Sequence, residues 1–122
     1  MAGTILLVDD DPVVRRILER YLSRLGYQVE QAGSGEELLK RLHHSLPDLV
    51  LLDLIMPGMD GYSLIAQIRS EPQFQNLPLL MVTGEPAHVH APLAREVGVD
   101  GFVSKPFDFD ELKRTIEVTL GR

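Results

Sequence analysis

The sequence predicts an α/β protein: a doubly wound, five-stranded parallel sheet with helices on both faces. Three observations point there. Apolar runs at Thr4–Val8, Leu49–Leu52 and Leu77–Val82 read as strands buried on both faces. Amphipathic stretches of helical period lie between strands. Cap and stop residues mark most of their ends. Strand and helix thus alternate, and parallel strands joined by right-handed crossovers bring every strand's carboxyl end to one edge of the sheet.

The first strand, Thr4–Val8, ends in Asp9-Asp10-Asp11-Pro12. Asp11 is placed to cap a helix with Pro12 at its first position, where a missing N–H does no harm. Val14, Leu18, Tyr21, Leu22 and Leu25 follow at helical spacing, and Gly26 is the expected stop. Tyr27–Ala32 alternates more weakly, as near a sheet edge. Ser34 and Glu37 form a capping box for a helix with Leu38, Leu39 and Leu42 on its apolar face. Pro47 and Asp48 lead into the central strand, which ends near Asp53 because Pro57, Gly58 and Gly61 follow. Asp60 caps a short helix carrying Tyr62, Leu64, Ile65 and Ile68. Glu71–Asn76 is polar, is broken by Pro72, and reads as loop before the strand Leu77–Thr83. Leu93–Val97 reads as a fourth helix. Proline inside a helix costs about 3 kcal/mol, so this helix is expected to start near Pro92, after an irregular loop from Glu85 to Ala91. Gly101–Lys105 is the last strand, ended by Pro106. Asp108-Phe109-Asp110-Glu111 is a second capping box, and Leu112, Ile116 and Leu120 stripe the fifth helix. The flavodoxin-like strand order 2-1-3-4-5 is the common doubly wound solution at this length.

At 122 residues the chain is expected to be one domain, 1–122, with a core that needs no staples. There is no cysteine, hence no disulfide and no thiolate metal site. No apolar run nears the ~20 residues of a membrane span. Met1-Ala2-Gly3-Thr4 lacks the charged region of a signal peptide, so a cytoplasmic protein is expected. A net charge of -6 disfavours direct nucleic-acid binding, which rests on Lys and Arg neutralising phosphates.

The strand ends supply the chemistry. Asp9 and Asp10 follow the first strand, Asp53 ends the third, Thr83 the fourth and Lys105 the fifth. Open α/β sheets bind ligands at that edge. Singly, each residue has an ordinary structural role: Asp caps helices, Thr favours strands, and a lone Lys is solvated. Their arrival together singles them out. Three clustered carboxylates repel one another, and a hard cation relieves the repulsion. Mg²⁺ takes oxygen ligands and keeps several waters. With no His or Cys in the cluster, zinc and copper are disfavoured. Beside such a cation Asp53 can attack phosphorus and form an acyl phosphate. The cation, Lys105 and the Thr83 hydroxyl would hold the phosphoryl oxygens.

Val8–Pro12, Leu52–Gly61, Val82-Thr83-Gly84 and Ser104–Phe107, in this order and spacing, resemble the receiver domain of two-component response regulators. The resemblance runs from Thr4 to Leu120. It implies a phosphorylation-controlled signalling switch rather than a turnover enzyme. Asp53 would accept a phosphoryl group from a phosphohistidine on a sensor histidine kinase or a histidine phosphotransfer protein. Asp10, Asp53 and the backbone carbonyl of Ile55 would ligate Mg²⁺, with Mn²⁺ as the alternative ion, and Asp9 would act through metal-bound water. Lys105 would pair with the phosphoryl group, and the Lys105–Pro106 peptide would be cis. Thr83 would swing toward the phosphoryl group and Phe102 into the space it leaves, altering the surface of the fourth helix, fifth strand and fifth helix. Phe102 stands where Tyr is common and keeps the ring without the hydroxyl. Ile55 and Glu85 would flank the path of attacking water and tune the phosphate's lifetime. Ile55→Asn is therefore expected to change the dephosphorylation rate while leaving uptake intact; equal decay rates in both proteins would count against this. A monomer or a phosphorylation-dependent dimer is implied. Only Gly121 and Arg122 follow the last helical stripe, so the chain is expected to carry no effector domain, whether it stands alone or is cut from a longer regulator.

Two other classes compete. An interaction module that is never phosphorylated has no need of Asp9, Asp10, Asp53, Thr83 and Lys105 together. An Asp-nucleophile phosphatase usually carries a second Asp where Ile55 stands, and a flavin carrier wants a phosphate-cradling loop where the three Asp would repel phosphate. His43, His44, His88 and His90 are expected to be solvent-exposed; His88 and His90 alone are too few for a metal site.

Overall fold

Five strands, β1 (Thr4–Val8), β2 (Gln28–Ala32), β3 (Leu49–Asp53), β4 (Leu79–Thr83) and β5 (Gly101–Ser104), run parallel in the order β2-β1-β3-β4-β5. This is the 2-1-3-4-5 topology the sequence predicts. The structure is a computed structural model describing residues 3–53, 55–56, 59–84, 96, 98–105 and 108–121. Its helices are α1 (Pro12–Arg24), α2 (Gly35–His44), α3 (Gly61–Arg69) and a C-terminal helix (Phe109–Thr119). Of the expected fourth helix, Leu93–Val97, only Glu96 is described; the loop from Glu85 to Ala91 lies outside the described residues, with His88 and His90.

Side chains alternate between the faces of a strand, and here both faces are apolar. Leu6, Val8, Val50, Leu52, Leu79 and Met81 pack with Leu38 and Leu42 of α2 and Leu64, Ile65 and Ile68 of α3. Ile5, Leu7, Leu49, Leu51, Leu80 and Val82 pack with Leu18 and Leu22 of α1 and Leu112 and Ile116 of the C-terminal helix. Each such fully buried side chain contributes about 1.5–3 kcal/mol. β2 is an edge strand, as β5 is on the other side, and its half-exposed side chains explain its weaker apolar pattern.

The caps form where the sequence places them. Asp11 accepts from the Val13 N–H at 2.8 Å, Ser34 from Glu37 at 3.2 Å and Asp60 from Tyr62 at 3.0 Å. Asp108 accepts from both Asp110 and Glu111. Each such cap contributes about 1 kcal/mol. Gly26, at φ 98°, takes the left-handed turn that ends α1. Glu37 reaches one residue further back than a capping box requires: its carboxylate accepts from the Gly33 N–H at 3.0 Å. That bond chiefly holds its pKa below the usual carboxylate range.

Three local expectations are corrected. The stretch Glu71–Asn76 is not plain loop: Pro72–Phe74 forms a 3₁₀ turn, and Phe74 is buried against α2 and α3. Arg69 holds the end of that turn by donating to the carbonyls of Phe74 and Gln75 (2.7 and 3.2 Å). β4 starts at Leu79 rather than Leu77, because Pro78 has no N–H for the ladder, although its carbonyl still accepts from Val50 at 2.9 Å. After β3, where the sequence predicts only a turn, Ile55–Met56 and Met59–Asp60 pair as a small antiparallel hairpin.

His43 and His44 are exposed, as expected, but His43 is anchored. Its Nδ1 lies 2.7 Å from the Leu39 carbonyl, its Nε2 lies 3.0 Å from Glu71 Oε1, and its ring meets Phe74 edge-on. The Glu71 carboxylate, then the Leu39 carbonyl, raise its pKa above 6.5. A raised folded pKa means that the pair's contribution is full below pH 6.5 and fades as pH rises through the folded value. Glu71→Gln should lower the His43 midpoint toward 6.5 in a proton NMR titration; an unmoved midpoint would show that Glu71 is not its partner.

Candidate functional site

The site forms at the carboxyl edge of the sheet. Leu7, Leu51 and Val103 face the core shared with α1 and the C-terminal helix. Asp9, Asp53 and Lys105 each lie two residues further on, so strand alternation sends all three to the same side of the sheet end. Val8 stands opposite Leu52, which sets Asp9 beside Asp53 one step later.

Among the described residues Asp9 and Asp53 are the buried charged groups, 4% and 7% exposed. Asp10 is exposed. Asp9, Asp10 and Asp53 each offer one carboxylate oxygen, all within 4.8 Å of one another. Lys105 Nζ lies 3.2 Å from Asp9 Oδ2 and 3.3 Å from Asp53 Oδ2. Burial disfavours its ammonium, but the carboxylates of Asp53 and Asp9 outweigh this and hold its pKa above 10.5. Asp9 is fixed on other sides too: its Oδ1 accepts from the Asp11 N–H at 2.9 Å, and its own N–H donates to the Ala32 carbonyl at 3.2 Å.

This donor set fits a hard divalent cation. Three carboxylates against one ammonium leave a formal charge of -2 in a half-buried pocket. Opposite ligand oxygens around Mg²⁺ lie roughly 4.2 Å apart, twice its bond length. The three carboxylate oxygens lie within 4.8 Å of one another, a separation compatible with that. All its donors are oxygens, which suits Mg²⁺ or Mn²⁺ and not a soft metal.

The remaining sequence-predicted residues fall around this pocket. Thr83 ends β4 opposite Ser104 of β5, at the same edge. Phe102 is half-buried opposite Met81 and packs on the face covered by α2 and α3. Ile55 sits in the hairpin after β3, in register with Asp60. Glu85 and Pro106, and with Pro106 the expected cis peptide, lie outside the described residues. Sequence patterns do not single out Arg15, whose Nη1 donates to the Asp9 carbonyl at 2.6 Å. Its signal is faint: a charged residue next to Val14 on the flank of the apolar stripe of α1.

Comparison with known proteins agrees with this geometry. Residues 5–117 match the family model described as "Response regulator receiver domain". The response regulator Rre1 of Synechocystis is 37% identical over 120 residues, 98% of this chain and 52% of that protein. The Vibrio cholerae chemotaxis protein CheY4 superposes with a TM-score of 0.90 at 30% identity, over 96% of this chain and 98% of that one. The receiver domain of a Pseudomonas aeruginosa sensor histidine kinase, solved with a magnesium ion coordinated in its active-site cleft, gives a TM-score of 0.87 at 28% identity over 98% of both chains. The chain spans about half the length of the curated relatives it matches. No described helix is long and apolar enough to cross a membrane. With the strand order, the acidic edge and a family match over nearly its whole length in agreement, the chain belongs to the response regulator receiver domain family, the phosphorylation-based signalling domains of two-component systems.

Proposed function

We propose that the chain is a single receiver domain, 1–122, acting as a cytoplasmic switch in which Asp53 is the phosphoacceptor. One observation carries this reading: the buried carboxylate of Asp53 shares a pocket with Asp9, Asp10 and the ammonium of Lys105. A carboxylate oxygen of Asp53 attacks phosphorus of a phosphohistidine on a sensor histidine kinase or phosphotransfer protein. The P–N bond breaks, imidazole leaves with a proton from solvent, and an acyl phosphate forms. Asp10, Asp53 and the Ile55 carbonyl would hold Mg²⁺, and Asp9 would hold it through water; the chemistry such a cation would supply there is charge neutralisation for the phosphoryl oxygens. Lys105, 3.3 Å from Asp53, transfers its ion pair to the new phosphoryl group. Thr83 and Phe102 relay the change to the surface around β5 and the C-terminal helix, and Ile55 and Glu85 set the phosphate's lifetime.

The test is intact mass after incubation with a small-molecule phosphodonor and Mg²⁺. One added phosphoryl group, lost when a chelator replaces the metal, is the expected result. No addition, together with failure to form a beryllofluoride complex, would overturn the reading in favour of an unphosphorylated interaction module.

A further inference from the structure

We infer that Arg15 is a positioning residue for the cation site, acting on it through the main chain of Asp9. This deepens the function proposed above and rests on it. Asp9 follows β1 directly and still bonds to β2, through its N–H to the Ala32 carbonyl. Its carbonyl, part-buried past the end of the strand, needs a donor. Arg15 Nη1 supplies one at 2.6 Å, a charge-assisted bond. The guanidinium is itself oriented: its Nε donates to Gln31 Oε1 at 3.1 Å, and the Gln31 amide donates to Glu19. Strand β2 thus braces the turn that presents Asp9 and Asp10 to Asp53.

Gly33 supports this independently. A Cβ built on Gly33 would stand 2.9 Å from Arg15 Nη1, closer than side-chain contacts tolerate. The residue after β2 therefore leaves room for the guanidinium. Gly33→Ala would displace Arg15 from Asp9 without removing its charge. The clash is with the far end of a flexible side chain, so the fold should survive.

Charge and position predict opposite signs. Arg15 is a cation near a cation site. By Coulomb repulsion alone, Arg15→Gln should tighten Mg²⁺ binding. If Arg15 positions the ligands, Arg15→Gln should weaken it, on the order of tenfold, as is typical when a residue orienting a metal ligand is lost. The experiment is calorimetric titration of Mg²⁺ into wild type, Arg15→Gln, Gly33→Ala and Arg16→Gln, each checked for folding by circular dichroism. Arg16 is exposed, and its substitution makes the same charge change away from Asp9. Weaker binding in Arg15→Gln and Gly33→Ala, with Arg16→Gln within twofold of wild type, is the expected result. Equal or tighter binding in Arg15→Gln would overturn the inference. If Arg15→Gln does not fold, Gly33→Ala alone decides it. A wild type that binds no Mg²⁺ would instead sink the proposed function, and this inference with it.

Discussion

Asp53→Asn is expected to abolish phosphoryl uptake. The amide has no anionic oxygen to attack phosphorus, so the loss should be at least about a hundredfold, and complete by intact mass. The variant should nevertheless fold. Asp53 is one of two buried carboxylates sharing Lys105, and it belongs to a cluster in which negative charge exceeds positive. Replacing one carboxylate by a neutral group of the same shape relieves repulsion, and an Asn carbonyl can still accept from Lys105 Nζ. The melting temperature in Mg²⁺-free buffer should equal or exceed that of the wild type, while stabilisation by added Mg²⁺ should shrink. Continued phosphorylation of Asp53→Asn would move the nucleophile elsewhere. Loss of folding would show that the carboxylate has a structural role that the geometry does not reveal.

Lys105→Met should produce three effects of different sign. First, without metal the stability falls. Breaking a fully buried ion pair costs roughly 3–5 kcal/mol. Lys105 keeps 28% of its side chain exposed, and solvent screening reduces this to about 2 kcal/mol. Its raised pKa fixes the pH window: the contribution is full below 10.5 and fades as pH climbs through the higher folded value, so variant and wild type should converge only in strong alkali. Second, Mg²⁺ should bind more tightly, because ammonium and metal compete for Asp9 and Asp53. A hundredfold excess of Mg²⁺ over its Kd adds about 2.7 kcal/mol, enough to offset the loss. Third, phosphoryl uptake should slow by about a hundredfold, since one donor to the transferring group is gone. Urea unfolding with and without Mg²⁺ reads the first two effects, and timed intact mass reads the third. If stability and Mg²⁺ affinity both stay at wild-type values, Lys105 is not the counter-ion of this pocket.

Much of this pocket and its scaffold is legible in the order of the residues. The unbroken run Leu49–Leu52 predicts a strand buried on both faces, and β3 lies at the centre of the sheet. Asp11, Ser34, Asp60 and Asp108 cap the helices as their spacing predicts, because a cap is a local contact between residues two or three apart. Asp9, Asp10, Asp53 and Lys105 can be assigned to one edge because parallel topology sends all strand ends there.

Contacts between distant residues are not legible in that way. Phe74 lies in a polar stretch, yet it is buried, and Arg69 bonds to its carbonyl. Glu71 holds His43 across 28 residues of chain. Fold class and the edge that carries the acidic cluster follow from the amino-acid sequence alone, because period, caps and crossover handedness are local or topological rules, and the strand order is the common doubly wound solution at this length. Tertiary packing was needed to settle which side of that edge each side chain takes and that Lys105 stands between Asp9 and Asp53. It also settles that Arg15 holds the Asp9 carbonyl beside a glycine with no Cβ to obstruct it. Those contacts depend on the register between strands and on the rotamers of long side chains, which are fixed when the layers pack together.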